Sequence, residues 1–407
     1  MLILNRHSTH NEPLDPRDAE TLGVDAAEEA ERYLSHRDNH APTPLHALPA
    51  LAAGLGIAAL HVKDEGARLG LGSFKALGGS YAVIRLVLEE AERQLRRAVD
   101  IAELHTPPVR AIASGMTFGC ATDGNHGKSV AAGARLVGAQ SAIFVHAGVS
   151  DERVAAIARY GAEMIRVDGT YDDSIRESAR VCAANGWTVV SDTSWPGYER
   201  IPGLVMQGYT AIIREALRAL PQTPTHVFVQ AGVGGVAAAL AAYLSLVLGK
   251  KRPAFIVIEP ARAACIFASA QAGEVVQIAH GEATVMAMLE CYEPSPVAWR
   301  ILSRVADAFM TVEEEGAVAA MNRLARPLGK DMAVVAGESG GAGLAGLLAV
   351  AEDHELRKAI HLDAGSRVFI VNTEGATDPA RYTQLVGLAP EMVLRGKLIV
   401  RGSTGSP

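Results

Sequence analysis

The sequence contains few cysteines, and their spacing suits neither a metal site nor a disulfide framework. The four are Cys120, Cys182, Cys265 and Cys291. No two of them form a Cys-x-x-Cys pair, and no histidines stand at the spacing of zinc ligands. We therefore predict no metal, and we expect the cysteines to be small core residues of a cytoplasmic protein.

Long apolar runs and a basic charge balance are also absent. The apolar stretch 237–249, AAALAAYLSLVLG, is too short to span a membrane and predicts a buried helix. The first residues, MLILNRHSTHNEPLD, lack the apolar core of a signal peptide. The net charge of −7 disfavours binding to nucleic acid or to an anionic membrane surface. We expect neither as a partner.

What the sequence does have is the size and periodicity of a two-domain α/β protein. Its 407 residues suffice for two domains or three, and 49% of them are hydrophobic. From about residue 110, short β-branched runs alternate with helical stretches. The expected strands are 141–148, 162–169 and 187–193, and the expected helices are 150–162 and 171–186. This alternation predicts a parallel sheet covered by helices.

Capping residues support the two expected helices. Ser150 is placed to cap the first helix. A Ser174–Glu177 capping box is expected to begin the second helix, and Gly186 to end it.

A second series follows, in which 226–235 is a strand that runs into a glycine-rich turn and then a helix, and 254–260 and 367–375 are apolar strands. Each strand ends in residues that can carry chemistry, and ligand sites in α/β sheets lie beyond the carboxyl ends of the strands. We predict fold class α/β, with two three-layer domains of mostly parallel sheets and an active site in the cleft between them. The predicted large domain is 1–85 plus 200–407, with 86–199 inserted as a small domain. The last residues, RGSTGSP, suggest a disordered tail.

The stretch LGSFKALGGS (71–80) places one lysine, Lys75, among small residues at the start of a helical run. A lone lysine on a helix is most often a solvated surface charge. A lysine held in a cleft could instead act as a nucleophile or base, because desolvation lowers its pKa. Small neighbours would then leave room for a flat cofactor.

Five further motifs contain polar or glycine-rich turns. In AGVGG (231–235), between a strand and a helix, glycines would let backbone N–H groups approach a phosphate. In ATDGNHG (121–127), Asp123, Asn125 and His126 stand in a turn that opens a helix. The others are SDTSWPGYERIP (191–202), GESGGAG (337–343) and VNTEG (371–375). Taken singly, each is also explained by a packing turn or a helix cap.

Taken together, the motifs describe a site for pyridoxal phosphate. The order SFK, GNHG, AGVGG, IEP, ESGGAG and NTEG resembles the fold type II pyridoxal phosphate enzymes, and within them the diaminopropionate ammonia-lyase family. The similarity extends from about residue 41 to 385, and ATDGNHG together with IPGLVMQGY is its most specific part. The resemblance implies a fold type II enzyme that uses pyridoxal 5'-phosphate, acts on a small amino acid and forms a homodimer.

The resemblance also implies a role for each cofactor-binding residue. Lys75 would bind the cofactor covalently and would later move protons. Asn125 would bond to the cofactor 3-hydroxyl, and Thr373 to its ring nitrogen, which a hydroxyl does not keep protonated as a carboxylate would. The phosphate would be held by Gly232, Val233, Gly234 and Gly235.

Two aspartates distinguish an ammonia-lyase from related dehydratases. Asp123 and Asp192 match the two family aspartates that handle the protons of a leaving β-amine. Serine and threonine dehydratases of the same fold usually have a small residue in the place of Asp123, since their leaving group is hydroxide. A base on the face of Cα opposite Lys75 would also allow either enantiomer to react.

The sequence departs from the family in two places. Gly72 and Ser73 resemble the dehydratase pattern before Phe74. In 283–296, Met288, Glu290 and Tyr292 replace glycine and small residues. The candidate substrate-binding residues are Ser73, Thr122, Met288 and Tyr292. Whether Met288 and Tyr292 line the pocket, or point into the core or a subunit contact, stays open.

Three functions follow from these residues. The first is α,β-elimination of ammonia from 2,3-diaminopropionate or a close β-substituted analogue, giving a 2-keto acid. The second keeps the cofactor but dehydrates a β-hydroxy amino acid, or replaces its β-substituent. The third is a non-catalytic binding protein, which would need neither Lys75 nor the two aspartates.

Overall fold

The computed structural model describes residues 1–37, 39–122 and 124–395, except the side chain of Asp172. Asp123 and the predicted C-terminal tail, 401–407, lie outside the described residues. The chain divides into two compact units. The first contains Met1–Ala19, Pro42–Ala67 and the residues from Ile212 onward, and the second contains Glu20–Ala41 and Arg68–Ala211.

The strands are short, as is usual in α/β proteins. In chain order they are β1 (Leu2–Leu4), β2 (Leu45–Ala47), β3 (Ala59–Asp64), β4 (Thr117–Ala121), β5 (Gln140–His146), β6 (Glu163–Val167), β7 (Thr188–Val189), β8 (His226–Gln230), β9 (Ala254–Pro260), β10 (Ala308–Val312) and β11 (Arg367–Asn372).

The helices vary from one turn to six. In chain order they are α1 (Pro16–Leu22), α2 (Val24–Leu34), α3 (Pro49–Gly54), α4 (Lys75–Leu95), α5 (Pro107–Ser114), α6 (Asn125–Val137), α7 (Asp151–Ala158), α8 (Tyr171–Asn185), α9 (Arg200–Ala219), α10 (Gly235–Leu248), α11 (Cys265–Ala272), α12 (Pro296–Val305), α13 (Glu314–Ala325), α14 (Ala342–Glu352), α15 (His354–Ala359) and α16 (Pro379–Val386).

The first unit contains a seven-stranded sheet in the order β1-β10-β9-β8-β11-β3-β2. The five inner strands are parallel, and the edge strands β1 and β2 are antiparallel to their neighbours. All residues of β8 and β10 are buried, which explains their continuous apolar runs, because a strand covered on both faces has no polar side. Three polar residues therefore lie at the carboxyl edge of one parallel sheet. They are Gln230 at the end of β8, Glu259 just before the end of β9, and Thr373 after β11.

The second unit contains a parallel four-stranded sheet in the order β6-β5-β4-β7. Helices α4 and α6 pack together at unusually short range. A Cβ at Gly133 would lie 2.9 Å from Ser80 Cα, and one at Gly79 would lie 2.8 Å from Ser129 Oγ. Only glycine allows this close approach of the two backbones.

The predicted fold class is confirmed, since both sheets are mostly parallel and alternate with helices. The strands of the four-stranded sheet lie within 86–199, and those of the larger sheet lie outside it. The predicted boundaries at 85/86 and 199/200 stay a prediction. Within the described part of the chain, no helix is both long enough and apolar enough to cross a membrane.

Three local predictions were wrong in detail. The capping box of α8 is formed by Thr170 and Asp173, because Ser174 already lies inside the first turn and bonds to Tyr171 O at 2.7 Å. The strand expected over 187–193 is reduced to β7, because the chain turns after Val189. Three cysteines are buried as expected, whereas Cys291 is only half-buried. Ser150 caps α7 and Gly186 ends α8 as predicted.

Candidate active site

Lys75 forms an ion pair with Asp192 in the second unit. The Lys75 amine donates a hydrogen bond to Asp192 Oδ2, and the two side chains are only 22% and 12% exposed. Lys75 is the first residue of α4, so the amine stands at a helix N-terminus. Lys75 is therefore not a fully solvated surface charge, and its role as a nucleophile or base stays a prediction.

Close packing fixes the start of the helix that carries Lys75. The rings of Phe74 and Tyr209 are 4.9 Å apart. A Cβ at Gly78 would lie 2.6 Å from Tyr209 Cε1 and 2.7 Å from Val205 Cγ1. The small residues after Lys75 thus allow α9 to pack closely against α4. This packing role was not evident from the sequence.

The turn that carries Asp192 is held by Tyr198. The Tyr198 hydroxyl donates to Val189 O at 2.8 Å and accepts from Ser191 N at 3.1 Å. Its ring stacks on Trp195 at a centroid distance of 4.0 Å. These contacts hold the chain between Val189 and Tyr198 in one conformation, so the carboxylate is presented from a fixed turn.

Charge keeps Asp192 ionised although it is buried. Burial acts to raise the pKa of Asp192, but the charge of Lys75 and its hydrogen bond outweigh burial and hold this pKa well below its usual range. His126 is also buried, and burial lowers its pKa. His126 Nε2 lies 2.8 Å from Val190 O, so Nε2 carries the proton in the neutral ring. The bare Nδ1 lies 4.0 Å from Asp192 Oδ2.

Other side chains around the pair are apolar or protonated. Burial raises the pKa of the Tyr209 hydroxyl, and this buried hydroxyl has no hydrogen-bond partner among the described residues. Burial, followed by the charge of Asp192, also raises the pKa of the Cys120 thiol well above its ordinary value. Both groups therefore stay protonated beside Asp192.

The residues of the ATDGNHG motif lie at the start of α6. Thr122 Oγ1 accepts from Gly124 N at 3.0 Å and from Gly127 N at 3.1 Å, so Thr122 stabilises the start of α6. Asn125, the first residue of the helix, is buried. Ser73 is also buried, and its carbonyl accepts from Ala76 N at 3.1 Å. Any substrate contact of Ser73 or Thr122 stays a prediction.

In the first unit, the turn between β8 and α10 has the form of an anion site. Within the described residues, the N–H groups of Gly232, Val233, Gly234 and Gly235 have no hydrogen-bond acceptor. Gly234 has φ +98°, and a Cβ there would lie 2.9 Å from Ile266 Cδ1. Unsatisfied N–H groups at a helix N-terminus favour an anion such as phosphate. This turn therefore fits the phosphate of the cofactor.

Gln230 directs the hydroxyl of Thr373. Gln230 Nε2 donates to Thr373 Oγ1 at 2.8 Å, and it also lies near the carbonyls of Ser339, Gly340 and Val371. Because Thr373 Oγ1 already accepts a hydrogen bond, its own proton is available to donate. Such a donor fits an unprotonated ring nitrogen, as the resemblance implied. Gln230 is not among the predicted site residues, because a glutamine at the end of a strand is its only signal in the sequence.

The segment with Met288, Glu290 and Tyr292 is held by its own side chains. The Tyr292 hydroxyl donates to Glu290 Oε1 at 2.8 Å, and Glu290 Oε2 accepts from Thr284 N at 3.2 Å. The ring of Tyr292 stacks on His280 at 3.9 Å. Met288 N donates to Ser339 Oγ at 3.2 Å. All three side chains are half-buried, so they do not belong to the core.

A cavity of about 250 Å³ in the first unit lies elsewhere. Its lining includes Ala59 and Arg367, which begin β3 and β11. It therefore opens at the amino ends of these strands, opposite the edge where Thr373 stands. It contains none of the predicted site residues.

Comparison with known families matches residues 36–374 to the pyridoxal-phosphate dependent enzymes. This range contains every described candidate site residue. In the described part of the chain, no group of histidine, cysteine and acidic side chains could hold a metal ion.

Comparison with individual proteins gives a more specific similarity. The diaminopropionate ammonia-lyase of Escherichia coli (strain K12) is 40% identical over 353 residues, which cover 85% of this chain and 87% of the relative. That of Salmonella typhimurium (strain LT2) is 36% identical over 358 residues, covering 86% and 88%. A crystal structure of the Escherichia coli enzyme, in complex with an aminoacrylate-PLP azomethine reaction intermediate, superposes with a TM-score of 0.85. It shares 36% identity and covers 95% of this chain and 96% of that one.

Proposed function

Because this chain belongs to the pyridoxal-phosphate dependent enzymes, and within them to the diaminopropionate ammonia-lyase family, we propose that it is an ammonia-lyase. Its reaction is the α,β-elimination of ammonia from 2,3-diaminopropionate or a close β-substituted analogue. The products are a 2-keto acid and ammonia. Its cofactor is pyridoxal 5'-phosphate.

The observation that carries this proposal is the half-buried ion pair of Lys75 and Asp192. Elimination needs a base to remove the proton from Cα and an acid to protonate the leaving β-amine. An amine and an ionised carboxylate in contact supply both kinds of group in one place. A protein that only bound amino acids would need neither, and would lose stability by burying them without a function.

The residues present fit the cofactor. We assign its covalent attachment to Lys75, its 3-hydroxyl to Asn125, its phosphate to the N–H groups of Gly232–Gly235 and its ring nitrogen to the Thr373 hydroxyl. When bound, pyridoxal phosphate supplies the electron sink that stabilises negative charge at Cα of the substrate.

The side chains of this chain then handle the protons. The Lys75 amine would remove or return a proton at Cα of the substrate. Asp192 accepts a proton from its partner or gives one to the β-nitrogen, which leaves as ammonia. We assign the second proton-transfer role to Asp123 from its place in the sequence motif.

The dehydratase alternative receives less support. The relatives at 36% to 40% identity are ammonia-lyases, and Asp123 occupies the position where dehydratases usually have a small residue. Ser73 remains a dehydratase-like feature of the loop before Lys75.

The proposal is tested by measuring both products. The purified holoenzyme is incubated with 2,3-diaminopropionate, serine, threonine and larger β-substituted amino acids, and keto acid and ammonia are quantified together. We expect one pyruvate and two ammonia for each diaminopropionate consumed, and neither product with Lys75→Ala. Faster turnover of serine or threonine would overturn the proposed reaction in favour of the dehydratase.

We also propose that the enzyme is a cytoplasmic homodimer. The homodimer is the family expectation, and the four cysteines, none of which forms a disulfide, are compatible with a reducing compartment. The net charge of −7 gives no reason to expect a nucleic-acid partner. Sedimentation equilibrium of the holoenzyme should give twice the chain mass of 42.7 kDa.

A further inference from the structure

Glu259 has a buried carboxyl group that caps a helix. It stands near the carboxyl end of β9 and is fully buried. Its Oε1 accepts from Ile266 N at 2.8 Å, and its Oε2 accepts from Phe267 N at 2.6 Å. Both donors belong to the first turn of α11. Among the described residues, no basic side chain pairs with this carboxyl group.

The same turn of α11 contacts the glycine turn after β8. Ile266 Cδ1 lies 2.9 Å from the point where a Cβ of Gly234 would stand. The Cys265 thiol donates to Gly232 O at 3.9 Å. Glu259 thus fixes Cys265 and Ile266, and these two residues support the backbone whose N–H groups lack acceptors.

We propose that Glu259 is a positioning residue for the cofactor phosphate, acting through the first turn of α11 on the turn Gly232–Gly235. This inference rests on the proposed function, since it presumes that the glycine turn binds the phosphate. A hydrogen bond to an anion weakens steeply when its donor is misaligned. A shift of α11 should therefore weaken binding of the phosphate group by the turn Gly232–Gly235 and leave the other cofactor contacts unchanged.

A second buried acidic residue caps a helix that does not contact the glycine turn, and it provides a matched control. Asp331 is also buried, and its two oxygens accept from Ala50 N at 2.9 Å and from Leu51 N at 2.8 Å, in the first turn of α3. Neither α3 nor Asp331 contacts the glycine turn in the described residues. Replacing Asp331 should cost stability as replacing Glu259 does, without touching the phosphate site.

The experiment compares two ligands of the apo protein, pyridoxal 5'-phosphate and pyridoxal. Both can form the same covalent bond with Lys75, so the ratio of their dissociation constants isolates the phosphate contribution. Absorbance titrations are made with wild type, Glu259→Gln, Ile266→Val and Asp331→Asn. Ile266→Val removes Cδ1 and leaves the cap intact, so it also serves if Glu259→Gln fails to fold.

We expect wild type to prefer pyridoxal 5'-phosphate strongly. Glu259→Gln and Ile266→Val should each lower that preference, the former by about 10-fold, as for the loss of one hydrogen bond to a charged group. Asp331→Asn should lower Tm and leave the preference unchanged. Pyridoxal affinity should stay the same in all four proteins.

Two results would overturn the inference. A wild-type preference that survives in both Glu259→Gln and Ile266→Val would show that Glu259 is only a helix cap. An equal fall in Asp331→Asn would show that the effect is general loss of stability. A wild type that binds neither ligand would instead refute the proposed cofactor, which separates that failure from this one.

Discussion

Lys75 and Asp192 lie 117 residues apart in the sequence and form a direct ion pair. Lys75 begins a helix that is packed against glycines, and Asp192 stands on a turn held by Tyr198. Both members are therefore fixed by backbone packing rather than by flexible side chains. Such a pre-positioned pair costs little reorganisation when protons move.

The first prediction concerns the cofactor lysine. Borohydride reduction of the holoenzyme should fix the cofactor on Lys75, and the visible absorption of the bound cofactor should disappear in Lys75→Ala. Lys63 is the internal control for labelling of a buried, ion-paired lysine, because its amine lies 2.6 Å from Glu215 and it is not a predicted site residue. Peptide mapping that finds the label on another lysine, or on none, would show that the assignment is wrong.

The second prediction concerns the two aspartates. Asp192→Asn should reduce turnover by about 10²–10⁴-fold, the usual contribution of a general acid or base, while the cofactor stays bound. Asp123→Asn should have a similar effect. Turnover is measured at saturating substrate, with Asp331→Asn as a control for the loss of a buried carboxylate. Wild-type turnover in both variants is the result that would refute their role.

The third prediction concerns the Thr373 hydroxyl. Thr373→Val should lower turnover and reduce the free energy of unfolding by about 1 kcal/mol, because Gln230 Nε2 loses one acceptor. Thr373→Ser keeps the hydroxyl and should retain most of the activity. Equal activity in the Val and Ser variants would mean that the hydroxyl contacts no ring nitrogen.

The fourth prediction is a pH dependence of stability. Burial raises the pKa of Glu259 to about 8 from 4.5, although the N–H groups of Ile266 and Phe267 act in the opposite direction. The folded protein thus retains this proton at pH values where the unfolded chain has lost it. The stabilisation by Glu259 should be complete below about pH 4.5 and should be lost as pH rises to about 8.

The measurement is urea unfolding of wild type and Glu259→Gln across this range. Since glutamine does not titrate, the difference in unfolding free energy, wild type minus variant, should fall between pH 4.5 and 8 and stay constant above. The nearest titratable groups on the packed elements are the thiols of Cys265 and Cys291, and burial raises the pKa of Cys265 far above this window. A difference that rises with pH would contradict the prediction.

The fifth prediction concerns substrate choice. Met288 and Tyr292 are larger than the residues expected there from the family, and we predict that they restrict the substrate. In Met288→Gly, Tyr292→Gly, the ranking of 2,3-diaminopropionate against larger β-substituted amino acids should change by about 10–200-fold in kcat/KM, the range that shape alone provides. Tyr292→Phe removes only the hydroxyl bond to Glu290 and serves as the control. An unchanged ranking would show that these residues do not set specificity.

Much of the fold could be predicted from the sequence because its signals are local. Strands such as 254–260 and 367–372 are continuous β-branched runs, and their alternation with helices requires parallel sheets. The capping box of α8 was misplaced by four residues, because Thr170–Asp173 and Ser174–Glu177 are equally good patterns in the sequence.

Much of the candidate site could not be predicted, because its contacts join distant residues. Tyr209 lies more than a hundred residues after Gly78, and no local sequence pattern predicts that the two residues are in contact. In the sequence, Gln230 is an ordinary strand residue. In the structure, its amide contacts the Thr373 hydroxyl and the carbonyls of Ser339 and Gly340. The motifs predicted which segments carry chemistry, and tertiary packing decided how each side chain is used.

The glycine packing of α4 also limits how this enzyme can be redesigned. At Gly78 and Gly133, even one added methyl group would collide with a neighbouring element. A library that varies these positions to enlarge the site would mostly recover unfolded protein. Variation is better directed to Met288, Glu290 and Tyr292, which are half-buried, and away from Met286 and Leu289, which are buried in the core. Directed evolution of this enzyme should therefore leave the glycines that pack α4 unchanged and should vary the half-buried residues near Tyr292.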